Sequence, residues 1–389
     1  MPSFAQHVEE IDEATSIKWN NRVYEMRQNG EDITVLSFGE AYFDIPLFSF
    51  DNLPFPGIYH YSHSRGILGL REKLCSYYEQ NYGVPVDAQK EIIVTAGSKA
   101  AIYMSLLTII NPGDEVIVHE PTWVSYTEHI KLCHAVPVLA PCTASITDLE
   151  KYVTKKTKAI IVCNPNNPRG YRISEKEMQY LHALAEKHDL FLLSDEAYSD
   201  YVTSSQQFVS AGKHDPKKTH TIICNSMSKN FGMSGWRIGY VMTNETLTRQ
   251  ILKVNQHLIT CPATILEYYL QEYFDKIIQI TAPQIKAVVE KRQEVERHLD
   301  ALKLERMGGD ATFYIFISIK PSRLKSDAFC DRLLTEYKVS TVPGHGYGQS
   351  CDEYLRISVG NEPIARIVDG LKKISQLIAS TSGALAPGR

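Results

Sequence analysis

The stretch Ser226-Met227-Ser228-Lys229-Asn230-Phe231-Gly232-Met233-Ser234-Gly235-Trp236-Arg237-Ile238-Gly239-Tyr240 decides how the rest of the chain is read. It follows a β-branched, apolar run through Thr221, Ile222, Ile223 and Cys224, and it leads into a second run from Arg237 to Met242. Both runs read as buried strands. Between them stand hydroxyls, small residues, one lysine and, eight positions after it, one arginine. Charges on a loop that joins two strands ordinarily point to solvent. Set among Ser, Asn and Gly, this lysine instead has room to meet a ligand. An isolated S-x-x-K is far more often an exposed loop lysine than a reactive one, so its meaning depends on the surrounding chain.

Working outward, apolar runs alternate with amphipathic helices. A strand over 91–95 meets Ala96-Gly97-Ser98-Lys99 and a helix to Ile110. A strand over 115–119 meets Glu120-Pro121-Thr122-Trp123, then a helix to Cys133 and a strand over 135–139. A strand over 159–163 meets Asn164-Pro165-Asn166-Asn167-Pro168-Arg169-Gly170, and Ser174 to Glu177 forms a capping box that opens a helix to about His188. A strand over 190–193 ends in Ser194-Asp195-Glu196-Ala197-Tyr198. This alternation predicts an α/β fold with a mostly parallel sheet covered by helices on both faces. Ligands of such sheets bind at the carboxyl ends of the strands, where all these unusual loops lie.

Ahead of this region the pattern predicts a helix over 13–29, a strand over 34–38, an irregular aromatic segment over 46–64 and a helix over 68–82. After the lysine loop it predicts helices over 244–258 and 262–300, the second broken near Pro283. Strands over 311–319 and 354–359 and helices over 327–337 and 362–379 then suggest a smaller α+β domain. The expected division is a large domain over 47–285, a small domain from 1–46 with 286–379, and a disordered tail over 380–389.

Composition narrows the function. A net charge of -4 gives no reason to expect nucleic acid or an anionic membrane as partner. No apolar run reaches the roughly 20 residues of a membrane span, and the N-terminus lacks the basic start and apolar centre of a signal peptide. The eight cysteines form no C-x-x-C pair and the histidines no H-E-x-x-H, so neither a disulfide frame nor a bound metal is expected, and the location is read as cytoplasmic.

Four motifs in order, Asn164 to Gly170, Asp195-Glu-Ala-Tyr198, Ser226-x-x-Lys229 with Arg237, and Tyr354-Leu-Arg356-Ile-Ser358, resemble those of the class I/II aminotransferases of fold type I. The resemblance runs from about Ala14 to about Ala379 and implies a seven-stranded-type large domain that binds pyridoxal 5′-phosphate (PLP). It implies that Lys229 forms the Schiff base with the cofactor and then shuttles the substrate proton. It implies that Asp195 pairs with the pyridine nitrogen, that Tyr198 and Asn167 donate to the phenolic oxygen, and that Trp123 stacks on the ring. Gly97, Ser98 and Lys99 at a strand-to-helix junction, with Ser226, Ser228 and Arg237, form the implied phosphate cup. Tyr61 matches a tyrosine that reaches the phosphate of a neighbouring subunit, implying a homodimer with shared active sites.

Arg356 resembles the arginine that grips the substrate α-carboxylate, with Gly39, Trp123 and Asn167 beside it. Gly97-Ser98-Lys99 and Trp123-Val124-Ser125-Tyr126 resemble bacterial aspartate aminotransferases, in which the lysine takes a side-chain carboxylate. The implied reaction moves an amino group between an L-amino acid and a 2-oxo acid, with glutamate/2-oxoglutarate or aspartate as one pair. The alternative is another PLP enzyme on the same scaffold, a β- or γ-eliminating lyase or a cyclase. One region departs from the family: Gly39-Glu40-Ala41-Tyr42-Phe43 and the aromatic run to His63 stand where a Gly-Glu-Pro-Asp-Phe loop and a helix are usual, and Arg65 precedes Gly66. The substrate entrance is therefore expected to differ.

Overall fold

The structure, a computed structural model, describes residues 2–204 and 207–382. Its centre is a seven-stranded sheet in the order Ile92–Thr95, Gly239–Met242, Thr221–Ser226, Phe191–Asp195, Thr157–Cys163, Glu115–His119, Val136–Ala140. Gly239–Met242 is antiparallel to both neighbours, and the other pairings are parallel. The strands are apolar on both faces because helices such as Ser98–Ile109 and Glu175–His188 cover them. The antiparallel strand places Arg237, at its start, on the same sheet edge as the carboxyl ends of the others.

The expected capping box is present. Ser174 accepts from the Glu177 backbone, Glu177 accepts from the Ser174 backbone, and the helix Glu175–His188 begins there. A second, three-stranded sheet in the order Val342–Pro343, Tyr354–Ser358, Tyr314–Ser318 is antiparallel throughout. Helices Ser326–Tyr337 and Ile364–Thr381 accompany it. Near the N-terminus only Thr34–Val35 of the expected strand is paired, in parallel with Val339–Ser340.

Two expectations are corrected. The helix expected to break near Pro283 runs unbroken from Thr264 to Ala301. Proline deprives the Gln279 carbonyl of its N–H partner at a cost of about 3 kcal/mol. Ile277, Thr281, Ile285 and Val288, all buried, clamp both halves to the core, and each large apolar side chain contributes roughly 1.5–3 kcal/mol. The Gln284 side chain also donates to the Ile280 carbonyl at 3.0 Å, an added bond beside the proline. Ser380 and Thr381, expected in the tail, instead belong to the last helix, where their hydroxyls donate to the Leu377 carbonyl. Residues 383–389 lie outside the described residues.

The boundary drawn at 285/286 falls inside this long helix. Its first half, with Tyr269, Tyr273 and Ile277, packs against Leu70, Leu74 and Val94. Its second half, with Val288, Val295 and Leu299, joins the cluster of Phe313, Ile315 and Ile317. The aromatic segment over 46–64 is irregular apart from one turn, Gly57–Tyr59. Phe48 stacks on Tyr273 at 4.7 Å and its N–H donates to the Tyr269 hydroxyl at 2.8 Å, so side chains of the long helix replace a ladder.

Candidate active site

Loops at the carboxyl ends of the parallel strands, the residues before Gly239 and the small sheet enclose one cavity of about 330 Å³. Ser98, Lys99, Trp123, Asn167, Asp195, Tyr198, Ser226, Ser228, Lys229, Arg237, Gly39 and Arg356 all line it. Gly97 stands immediately behind. Its φ of +82° is one that side chains rarely adopt, and a Cβ there would come within 2.5 Å of Arg237 Nη2. Glycine thus lets the helix N-terminus and the guanidinium converge, with the Ser226 and Ser228 hydroxyls 2.6 Å apart beside them. Backbone N–H groups, two hydroxyls and a guanidinium form a donor set suited to a phosphate.

Asp195 is buried at the end of its strand, accepting from the Tyr126 hydroxyl at 2.7 Å and the Ala197 N–H at 3.2 Å. Burial pushes its carboxyl up to about 6, against the pull of those two donors and of Lys229. Burial likewise pushes the Lys229 amine down to about 8, with Glu40 opposing and Arg356 and Arg237 reinforcing the shift. Its Nζ donates to the Gly39 carbonyl and lies 5.9 Å from the Tyr198 ring. A lysine so depressed is substantially neutral near pH 8, the state in which it attacks a carbonyl.

Arg356 enters from the small sheet. Its guanidinium lies 4.3 Å from the Tyr314 ring centre and 5.4 Å from that of Tyr347, and donates to the Ser37 carbonyl at 2.6 Å and to Asn167 Oδ1 at 3.4 Å. Its Nε is buried without a partner, an orphan donor that an incoming carboxylate would satisfy. Asn167 Nδ2 in turn lies 3.5 Å from the Tyr198 hydroxyl, which meets the Tyr314 hydroxyl at 3.0 Å. Lys99 holds its ammonium 5.1 Å from the Trp123 ring, and burial with the nearby Arg237 lowers its pKa.

A region spanning residues 32–371 matches the family model described as aminotransferase class I and II. The chain belongs to that family. It is 31% identical to an aromatic-amino-acid aminotransferase of Thermococcus litoralis, over 91% of this chain and 94% of that one. It is 30% identical to an aspartate aminotransferase of Pyrococcus abyssi, with the same coverage. The structure of the Thermus thermophilus aspartate aminotransferase with maleate superposes with a TM-score of 0.86 at 26% identity, covering 97% of this chain and 100% of that one.

The cofactor of this aminotransferase is PLP, and the residues fit it: a phosphate cup closed by a glycine, a buried carboxylate raised toward neutrality, and an amine lowered toward it. Tyr61 does not reach this cavity. It is 85% exposed, on a separate surface groove with His60 and Pro262. No residue of 41–66 lines the cavity either, and Arg65 turns away to the Gln89 and Lys90 carbonyls.

Several residues of the aminotransferase's site were not singled out from the sequence, among them Tyr126, Glu40 and Tyr314. Tyr126, the donor to Asp195, ends the Trp123-Val124-Ser125-Tyr126 run, and that position was its signal. Glu40 adjoins Gly39 and faces Lys229 across the cavity. Tyr314 sits in an apolar strand, where nothing in the local pattern marks its hydroxyl. Among the described residues no group of three His, Cys, Asp or Glu could hold a metal ion, and no helix is long and apolar enough to cross a membrane.

Proposed function

We propose that this aminotransferase uses glutamate and 2-oxoglutarate, or aspartate, as one of its amino-donor and acceptor pairs. The observation that carries this reading is the charge of the cavity, where Lys99, Lys229, Arg237 and Arg356 stand against Asp195 and Glu40. Arg237 goes to the phosphate and Lys229 to the cofactor carbonyl, which leaves two cations for substrate. The partners of Arg356 are carbonyls and tyrosine rings, and the neighbour of Lys99 is the Trp123 ring. Two cations without a protein carboxylate suit a dicarboxylate, with the α-carboxylate on Arg356 and the distal one on Lys99. Maleate, held by the Thermus relative, is itself a dicarboxylate.

When bound, the cofactor supplies an electron sink for the bond broken at the substrate α-carbon. Asp195 would keep the ring nitrogen protonated, Tyr198 and Asn167 would donate to the phenolic oxygen, and Trp123 would cover the ring face. Ser98, Ser226, Ser228 and Arg237 would hold the phosphate, with the Gly97 and Lys99 backbones at the helix start. Lys229, near neutrality, takes the α-proton and returns it. Tyr61 acts on a second copy of the chain in a homodimer, and segment 41–66 shapes the substrate entrance only through that copy. The small domain, 1–46 with 286–379, carries Arg356 and closes over the larger one when substrate binds. A cytoplasmic location goes with this reading, since eight unpaired cysteines suit a reducing compartment.

The test is a panel of amino acids mixed with the coloured, cofactor-loaded enzyme. Transamination bleaches the cofactor absorbance, releases the matching 2-oxo acid and is reversed by 2-oxoglutarate. Ammonia or a cyclised product in place of the 2-oxo acid would overturn the reading, as would indifference to every dicarboxylate.

A further inference from the structure

Glu120 follows the strand Glu115–His119, is 2% exposed and does not line the active-site cavity. Its carboxylate is fully engaged across the two parts of the molecule. Oε1 accepts the Gln349 N–H at 2.7 Å, and Oε2 accepts the Ser350 N–H at 3.0 Å and the Ser350 hydroxyl. The approach depends on Gly348, where a Cβ would lie 2.4 Å from the Glu120 carboxyl carbon. Two residues further on, the Thr122 N–H donates to the Tyr347 carbonyl at 2.9 Å.

The elements so joined meet beside the active site, each next to one of its residues. Residues 120–122 run into Trp123, and residues 347–350 carry Tyr347, the ring that flanks the Arg356 guanidinium at 5.4 Å. The Tyr347 hydroxyl is buried with only the Arg356 guanidinium beside it, and its ring packs edge-on against Phe316 at 5.7 Å. The turn Gly344–Tyr347 carries that ring into place, and the carboxylate of Glu120 anchors the residues immediately after the turn.

We propose that Glu120 is a positioning residue for substrate: it fixes Tyr347, and through it the orientation of Arg356, relative to Trp123. The inference rests on the reading that Arg356 receives the substrate carboxylate. Charge-assisted bonds to backbone N–H groups are directional and roughly twice as strong as neutral ones, so one carboxylate can register two loops against each other. Glutamine keeps the volume but presents an amide where the Ser350 N–H needs an acceptor. Alanine removes both acceptors.

The experiment compares E120A and E120Q in the cofactor-loaded enzyme, reading KM and kcat for both half-reactions, the inhibition constant of maleate, and the dissociation constant of PLP. Loss of a charge-assisted bond is expected to raise KM and the maleate constant about tenfold in E120A, and less in E120Q. The affinity for PLP falls less than that for maleate, because the phosphate contacts lie on other loops and Trp123 is the one ring contact that follows Glu120. Combined with Y347L, E120A should add little to the effect of Y347L alone. An unchanged KM, a parallel loss of PLP, or additive effects in the double variant each overturns the proposal. Should E120A fail to fold, E120Q carries the same comparison. R356K separates the two readings: unchanged KM there removes the role of Arg356 itself, whereas raised KM there with unchanged KM in E120A and E120Q removes only that of Glu120.

Discussion

Replacing Asp195 by asparagine should stabilise the cofactor-free protein while abolishing turnover. Burial holds the folded carboxyl at about 6, against an ordinary value of 3.8. The group therefore keeps its proton in the folded chain over a pH range in which the unfolded chain has released it. Stability conferred by the protonated form is complete below pH 3.8 and is lost as pH rises through 6. The difference of about two pH units corresponds to roughly 3 kcal/mol at neutral pH. Asparagine is neutral throughout and keeps an acceptor for the Ala197 N–H, while its amide meets a Tyr126 hydroxyl turned to accept.

Urea denaturation of the cofactor-free wild type and D195N, from pH 4 to pH 8, checks this. The two should have similar stability at pH 4, and the variant should gain progressively up to pH 7, where the gap levels off at about 3 kcal/mol. With PLP bound, the pyridinium offsets the cost of the carboxylate, so the ranking should narrow or reverse. A gap that is constant with pH would falsify the electrostatic account, since it would mean that asparagine merely packs better.

Two further outcomes follow from the geometry. Lys99→Ala should lower kcat/KM for dicarboxylic substrates by roughly 10- to 100-fold, the worth of one charged hydrogen bond, and leave alanine within about threefold; steady-state kinetics on the two substrates that shows equal losses removes its specificity role. Gly97→Ala puts a Cβ 2.5 Å from Arg237 Nη2 at a φ of +82°, so PLP should bind at least about tenfold more weakly, a shift that absorbance titration of the cofactor-free protein would read and that an unchanged affinity would contradict.

The large sheet and most of the cavity are legible in the sequence for one physical reason. Residues such as Asp195 and Lys229 are costly where they stand, at the end of an apolar strand or among small residues between two such strands. A costly residue next to a strand end is visible locally. Tyr314 is different. Its strand reads as plain core, and its role follows from a pairing 40 residues apart, in which Arg356 lies opposite Phe316 and Tyr314 lies two residues along on the same face. No periodicity within either strand contains that register. Pro283 fails in the other direction, because a local rule predicts a break that four buried neighbours override.

The strained groups converge on one place, and that convergence identifies the site independently of any motif. Asp195 is raised toward neutrality, Lys229 is lowered toward it, Arg356 Nε is a buried orphan, and Gly97 holds a positive φ beneath a guanidinium. Each is unfavourable for the folded chain alone, and all lie around the same 330 Å³. Cofactor and substrate together would relieve them: a ring cation beside Asp195, a carbonyl for Lys229, an anion at the helix start, and a carboxylate for Arg356. The cofactor and a substrate carboxylate have those groups, so the stability withheld from the empty fold returns as binding energy. Tyr61 carries no such tension in a single chain, being 85% exposed and outside the cavity. Whatever Tyr61 contributes, it does so outside the cavity of its own chain.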